Sequence, residues 1–207
     1  MQVSGGESRS VTGTARRAQI IAATIETIAA LGYGQASFAR IAERAKLSST
    51  RLISYHFVGK NELIQAVIAE IYGEMADFMG ARMHDVTDPP GALGAYIRAV
   101  VAFIATHRTQ MDALMSVFLG NVGEDSAEDD GYSDQRAFAP LREILESGQR
   151  SGHFRAFDSF VMAATVQRSL DGLPFLLRTA PELDLDAYAE ELVTIFELAT
   201  TATPRRQ

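Results

Sequence analysis

Ser37-Phe38-Ala39-Arg40-Ile41-Ala42-Glu43-Arg44-Ala45-Lys46-Leu47-Ser48-Ser49-Thr50-Arg51-Leu52-Ile53-Ser54-Tyr55-His56-Phe57 is the stretch whose reading decides the fold. Phe38, Ile41, Ala42 and Ala45 recur at helical spacing, and Ser37 is placed to cap their helix. A short break at Lys46-Leu47 leads to Ser48, a second candidate cap, and to a helix that runs to about Phe57. On a wheel of about 100° per residue, Leu52, Ile53 and Phe57 share one face with Ser49 and His56. Thr50, Arg51, Ser54 and Tyr55 share the other.

Helical period also dominates on either side of this block, with no convincing β pattern. Upstream, Ile21, Ile25, Ile28 and Ala29 form one apolar stripe, which Leu31-Gly32-Tyr33-Gly34 brings to a glycine stop. Downstream, Val58-Gly59-Lys60 breaks the chain before a long helix bearing Ile64, Val67, Ile68, Ile71, Met75, Phe78 and Met79, which ends near His84. Pro89-Pro90-Gly91 separates that helix from the next. Leu93–Thr106, Met111–Leu119, Ala137–Arg150, Ser159–Arg178 and Asp186–Thr200 read as further helices. Asn121–Asp134 is acidic and short of apolar residues, an expected mobile loop. The expected fold class is all-α.

The chain has 207 residues, a formal net charge of −7 and no cysteine, which excludes disulfides and thiolate metal sites. Met1–Ser10 has no apolar core of a secretory signal. The longest apolar run, Ala92–Ala105, is cut by Arg98, short of the ~18 uninterrupted residues of a membrane span. These features lead us to expect a soluble, cytoplasmic protein without membrane contact. The charge is unevenly spread. Residues 1–62 hold eight Lys/Arg against four Asp/Glu, and the remainder holds 11 against 22. A basic head on an acidic body suits a polyanionic partner, although such asymmetry also occurs without one.

Two short helices with a tight break fit a duplex reader, because the major groove admits one α-helix. A second helix that buries Leu, Ile and Phe while presenting Thr, Arg, Ser and Tyr carries groups suited to base edges and phosphates. Ile41-Ala42-Glu43-Arg44-Ala45, the Ser-rich start of the second helix, Tyr55-His56-Phe57 and Gly59-Lys60-Asn61-Glu62-Leu63 together resemble the TetR family of transcriptional regulators. Leu31-Gly32-Tyr33 sits at the expected distance upstream, and the match covers roughly residues 14–68.

The resemblance implies residues 1–13 as a flexible arm, 14–60 as a three-helix DNA-binding domain, and 61–207 as a helical bundle for effector binding and dimerisation. It implies that Tyr55, Lys60 and Ser37 meet phosphate; free N–H groups at helix starts support Ser37 and Ser48 independently. Arg51 is the first candidate for base readout. Thr50 and Ser54 are placed for base or backbone, and Arg40 and Ser49 complete the candidate DNA contacts. His56 has two readings, phosphate contact or core side. Arg16 and Arg17 reach the backbone or are simply solvated. The chain departs from the family in carrying Lys46 where glycine is usual, in a left-handed position that taxes a side chain sterically. It also has one residue more than the common pattern, with Arg51 where a small residue is frequent.

For the body, the resemblance implies an effector pocket and a homodimer through the last two helices. Met75, Phe78, Met79, Tyr96, Phe103, Met115 and Phe118, with Met111, are pocket or core residues. Gln167 and Asp171, with Arg168, are polar groups placed for a ligand or for the dimer face. The expected partners are a double-stranded operator and a small-molecule effector of unknown identity. No cofactor or metal is expected: His56, His84, His107 and His153 are isolated, and no HExxH, phosphate loop or nucleophile elbow occurs. The expected function is a ligand-released repressor rather than an enzyme. The alternatives are an activator, or a ligand-binding protein or enzyme with a vestigial DNA-binding head.

Overall fold

The computed structural model describes residues 6–120 and 138–202, and these form ten α-helices. They are α1 (Gly6–Leu31), α2 (Phe38–Arg44), α3 (Arg51–His56), α4 (Lys60–Met83), α5 (Pro89–Thr106), α6 (Arg108–Gly120), α7 (Ala139–Arg150), α8 (Ser159–Asp171), α9 (Leu173–Thr179) and α10 (Leu185–Thr200). A 3₁₀ turn, Tyr33–Gln35, links α1 to α2. The expected all-α class holds, and the one β element among the described residues is an isolated bridge between Phe154 and Thr201. The acidic loop expected at Asn121–Asp134 lies outside the described residues. So does the terminal Pro204–Gln207.

The chain divides into two compact units. The first takes the residues up to Glu74 together with α6 from Thr109; the second takes Met75–Arg108 and the helices from α7 onward. This division falls inside α4 and not at the boundary expected after residue 60, and α1 already begins at Gly6 within the expected arm.

In the first unit, α1 buries Ile20, Ile21, Ile25 and Ile28. Thr24 and Thr27 are buried beside them, each hydroxyl donating to the carbonyl four residues back. Burial of one such aliphatic side chain contributes roughly 1.5–3 kcal/mol. The helix ends at Gly32, whose φ of 84° requires glycine. Ser37 caps α2 as expected, its Oγ accepting from the Arg40 N–H. Lys46 closes α2 with φ 52°, the left-handed conformation expected from the sequence. Its N–H donates to Glu43 and that of Leu47 to Ala42, which satisfies carbonyls at the helix end.

The start of α3 differs from expectation. Ser48 does not cap it: the helix begins at Arg51, and Ser49 Oγ accepts the Arg51 N–H at 3.2 Å. Four residues, 47–50, separate Lys46 from α3, so Ser48 falls ahead of the first helical turn. Thr50, at the cap position, has a helical backbone that makes no side-chain cap bond. Ile53 and Phe57 are buried, as are Leu63, Ile64, Val67 and Ile71 of α4 and Met111, Ala113, Leu114 and Val117 of α6.

In the second unit, α5 is the central helix, with α7 and α10 packed on it. It begins at Pro89, earlier than the Leu93 expected from the sequence. Proline lacks only an N–H that the first turn leaves unpaired anyway, and Asp88 Oδ1 accepts from Gly91 N–H at 2.8 Å. Among the described residues α5 alone is long and apolar enough to cross a membrane by length and composition; half of it is buried inside the protein. The expected helix 159–178 is two, α8 and α9, because Pro174 cannot donate back to the Leu170 carbonyl. Asp158 caps α8 and Asp184 caps α10.

Candidate nucleic-acid interface

Ser37, Arg40, Ser48, Ser49, Thr50, Arg51, Ser54 and Tyr55 are all exposed. Ser49 therefore departs from the core side to which the wheel assigned it, because it precedes α3. Tyr55 is 83 % exposed while Ile53 and Phe57 are at most 1 % exposed, so α3 has one face in the core and an opposite face of Thr50, Arg51, Ser54 and Tyr55 in solvent. His56 is half-buried and meets the Tyr55 ring edge-on, with centroids 5.1 Å apart.

The surrounding bonds hold this face in place. Gln19 of α1 donates to the Ala45 carbonyl at 2.7 Å, bracing the turn between α2 and α3, and accepts from Arg16 at 2.8 Å. The Arg17 guanidinium lies 4.8 Å from the centre of the Phe57 ring. Arg40 is held by the carbonyl and the side-chain oxygen of Gln35. Arg44 is paired with Glu26 at 3.5 Å. No hydrogen bond or ion pair engages the Arg51 or Lys46 side chain among the described residues. The Lys60 ammonium is engaged: it donates to the Tyr33 carbonyl at 3.1 Å and sits 4.1 Å from the centre of that ring. Sequence reasoning missed Tyr33 as a partner; its only signal was its place in the Leu31–Gly34 stop.

The candidate ligand residues are divided between the units. Met115 and the exposed Phe118 belong to α6 in the first; Met75, Phe78, Met79, Tyr96, Phe103, Gln167 and Asp171 belong to the second. Phe103 is fully buried, stacks on His107 at 4.1 Å and meets Phe78 at 5.4 Å. Tyr96 donates to Gln167 and Gln167 to Asp171, both at 2.8 Å. A groove of about 380 Å³ in the second unit is lined instead by Arg82, Ala95, Arg98, Ala99, Ala102 and Glu190, among others, and by none of the nine. Alanines at this spacing on one face of α5 leave space that large side chains fill elsewhere. At its edge the Glu190 carboxylate raises the proton affinity of Arg98, and the hydrogen bonds that Arg98 donates hold the Glu190 carboxyl below its ordinary range.

Residues 20–67 match the model of the bacterial regulatory proteins of the tetR family. The transcriptional regulator BetI of Cronobacter sakazakii is 27 % identical over 186 residues, covering 86 % of this chain and 91 % of that protein. BetI of Escherichia coli strain K12 / DH10B is 37 % identical over 86 residues, 42 % of this chain and 43 % of that protein, so this match spans less than half of the relative. A transcriptional regulator from Saccharomonospora viridis, solved in complex with choline, has the same fold, with TM-score 0.77, 20 % identity, and coverage of 92 % of this chain and 100 % of that one. The helix-turn-helix, with one solvent-facing side, is matched by the family model across residues 20–67, and together with these relatives it supports a DNA-binding transcriptional regulator of the tetR family.

Proposed function

We propose that this regulator is a repressor that binds a two-fold operator as a homodimer and leaves it when a small molecule binds the second unit. The observation that carries the reading is the exposure of Thr50, Arg51, Ser54 and Tyr55 on a helix anchored by Ile53 and Phe57. In this reading Arg51 contacts base edges, while Tyr55, Ser37 and Lys60 contact phosphate.

Dimerisation is supported by apolar side chains exposed on the last three helices: Phe160 and Val161 of α8, Phe175 and Leu176 of α9, and Ile195 and Leu198 of α10. Apolar exposure of this extent marks an interaction surface more often than a free one. A short reading helix covers few base pairs, so two copies related by two-fold symmetry supply the specificity one lacks. The groove beside α5 is the space we assign to the effector. Effector binding would then favour a dimer whose reading helices no longer match successive major grooves. The helix α4 is unbroken from Lys60 to Met83 and runs from the first unit into the second, which suits it to carry that change. A regulator of this kind works beside the chromosome, in the cytoplasm, and uses no catalytic group.

Selection from a random duplex library, followed by binding titration and light scattering, tests the reading. Recovery of a two-fold sequence bound by two chains is the expected result. Equal affinity for all duplexes, or a monomer on the DNA, would overturn it.

A further inference from the structure

Tyr33 is held from three directions within the first unit. Its backbone N–H donates to Ser116 Oγ on α6 at 2.9 Å, across 83 residues of sequence. Gly120 lies one turn further along α6 under the Tyr33 ring, where an added Cβ would come within 2.7 Å of Cδ1. On another side the ring and carbonyl hold the Lys60 ammonium. The preceding Gly32, with φ 84°, breaks the chain away from α1, so the Tyr33 N–H opens the 3₁₀ turn without a helical acceptor and Ser116 supplies one.

We propose that Ser116 is a positioning residue for DNA binding, acting through Tyr33 on the Lys60 ammonium. Ser116 lies outside the helix-turn-helix and has no place on its solvent-facing side. It fixes the 3₁₀ turn that receives Lys60, and so fixes where one positive charge stands at the start of α4. Without the hydroxyl, a part-buried N–H loses its acceptor and the turn shifts to find water. The Lys60 contact with Tyr33 then loosens, and the charge no longer stands where a phosphate meets it. This inference rests on the reading that Lys60 meets phosphate.

The test uses the full-length protein and a mixed-sequence duplex, with affinity measured at several salt concentrations and folding followed by thermal denaturation. Lys60→Ala should flatten the salt slope by about 0.9, the effect of one phosphate contact. Ser116→Ala should weaken binding about threefold to tenfold, flatten the slope in the same direction, and add little to Lys60→Ala in the double variant. Ser116→Thr, which keeps a hydroxyl, should restore both affinity and slope. Gly120→Ala, which displaces the Tyr33 ring, should resemble Ser116→Ala. If Lys60→Ala leaves the slope unchanged, the phosphate reading fails and the proposal with it. If Lys60→Ala flattens the slope while Ser116→Ala does not, or if their losses simply add, the coupling alone is overturned.

Discussion

Arg98 on α5 donates from Nε and from its second terminal nitrogen to the two carboxylate oxygens of Glu190 on α10, at 2.6 and 2.7 Å. This fork joins the central helix of the second unit to its last helix and places both charges at the lip of the groove. The hydrogen bond from Arg98 holds the Glu190 carboxyl below its ordinary value of 4.5. A carboxyl depressed in the folded state stabilises above its unfolded value, and that contribution disappears as pH falls through the folded one. Wild-type protein should therefore lose more stability than Glu190→Gln as pH drops below 4.5. Parallel thermal melts across that range check it; identical pH profiles would count against the fork.

Arg51 and Tyr55 should separate specificity from affinity. Arg51→Ala should lower discrimination between a selected sequence and its variants by about 1–3 kcal/mol at the base pair it reads. Tyr55→Phe should weaken all duplexes alike without changing the salt slope, since no charge is removed. Titrations against selected and scrambled duplexes distinguish them, and matching behaviour of the two variants would refute the division of roles.

Lys46→Gly should stabilise the fold by about 1 kcal/mol, because a side chain at φ 52° is strained where glycine is not. Denaturant titration reads the change. A loss of stability would mean that the Lys46 side chain contributes more than the backbone strain removes.

Gly148→Ala should destabilise the second unit by about 1–3 kcal/mol, since the added methyl has no room beside the buried Phe154 ring. A mutant that melts with the wild type would show that the ring moves aside freely.

Leu198→Glu should convert the proposed dimer to monomer while leaving helix content intact. Leu198 is 77 % exposed on α10, so its substitution disturbs little within one chain. Light scattering together with circular dichroism tests this, and a persistent dimer would place the interface elsewhere.

The head was largely legible in the sequence because its determinants are local. Ser37, the Ile41–Ala45 spacing and the Lys46 break each act within one turn of helix, and Lys46 adopts the left-handed backbone that its place demands. The errors arose where one local signal obscured another. Ser48 has the chemistry of a cap, but the turn after Lys46 takes four further residues before α3 begins. Pro89 reads as a separator and is the first residue of a helix; Pro174, inside the single helix expected over Ser159–Arg178, divides it in two. The Tyr33–Ser116 bond could not be seen, because nothing near either residue announces a partner so far along the chain. The groove carries no signal of bulky side chains in the sequence, because it is made by the smallness of Ala95, Ala99 and Ala102. The unit boundary inside α4 has no break in helical pattern to mark it.

Lys46 stands exposed at the elbow before α3, without an ion pair among the described residues. Glycine would relax the backbone there but would strip a cation from the part of the molecule that approaches a polyanion. The elbow thus sets thermal robustness against grip: a variant that survives heating better should dissociate sooner from any duplex at low ionic strength, and that gap should narrow as salt screens the missing charge.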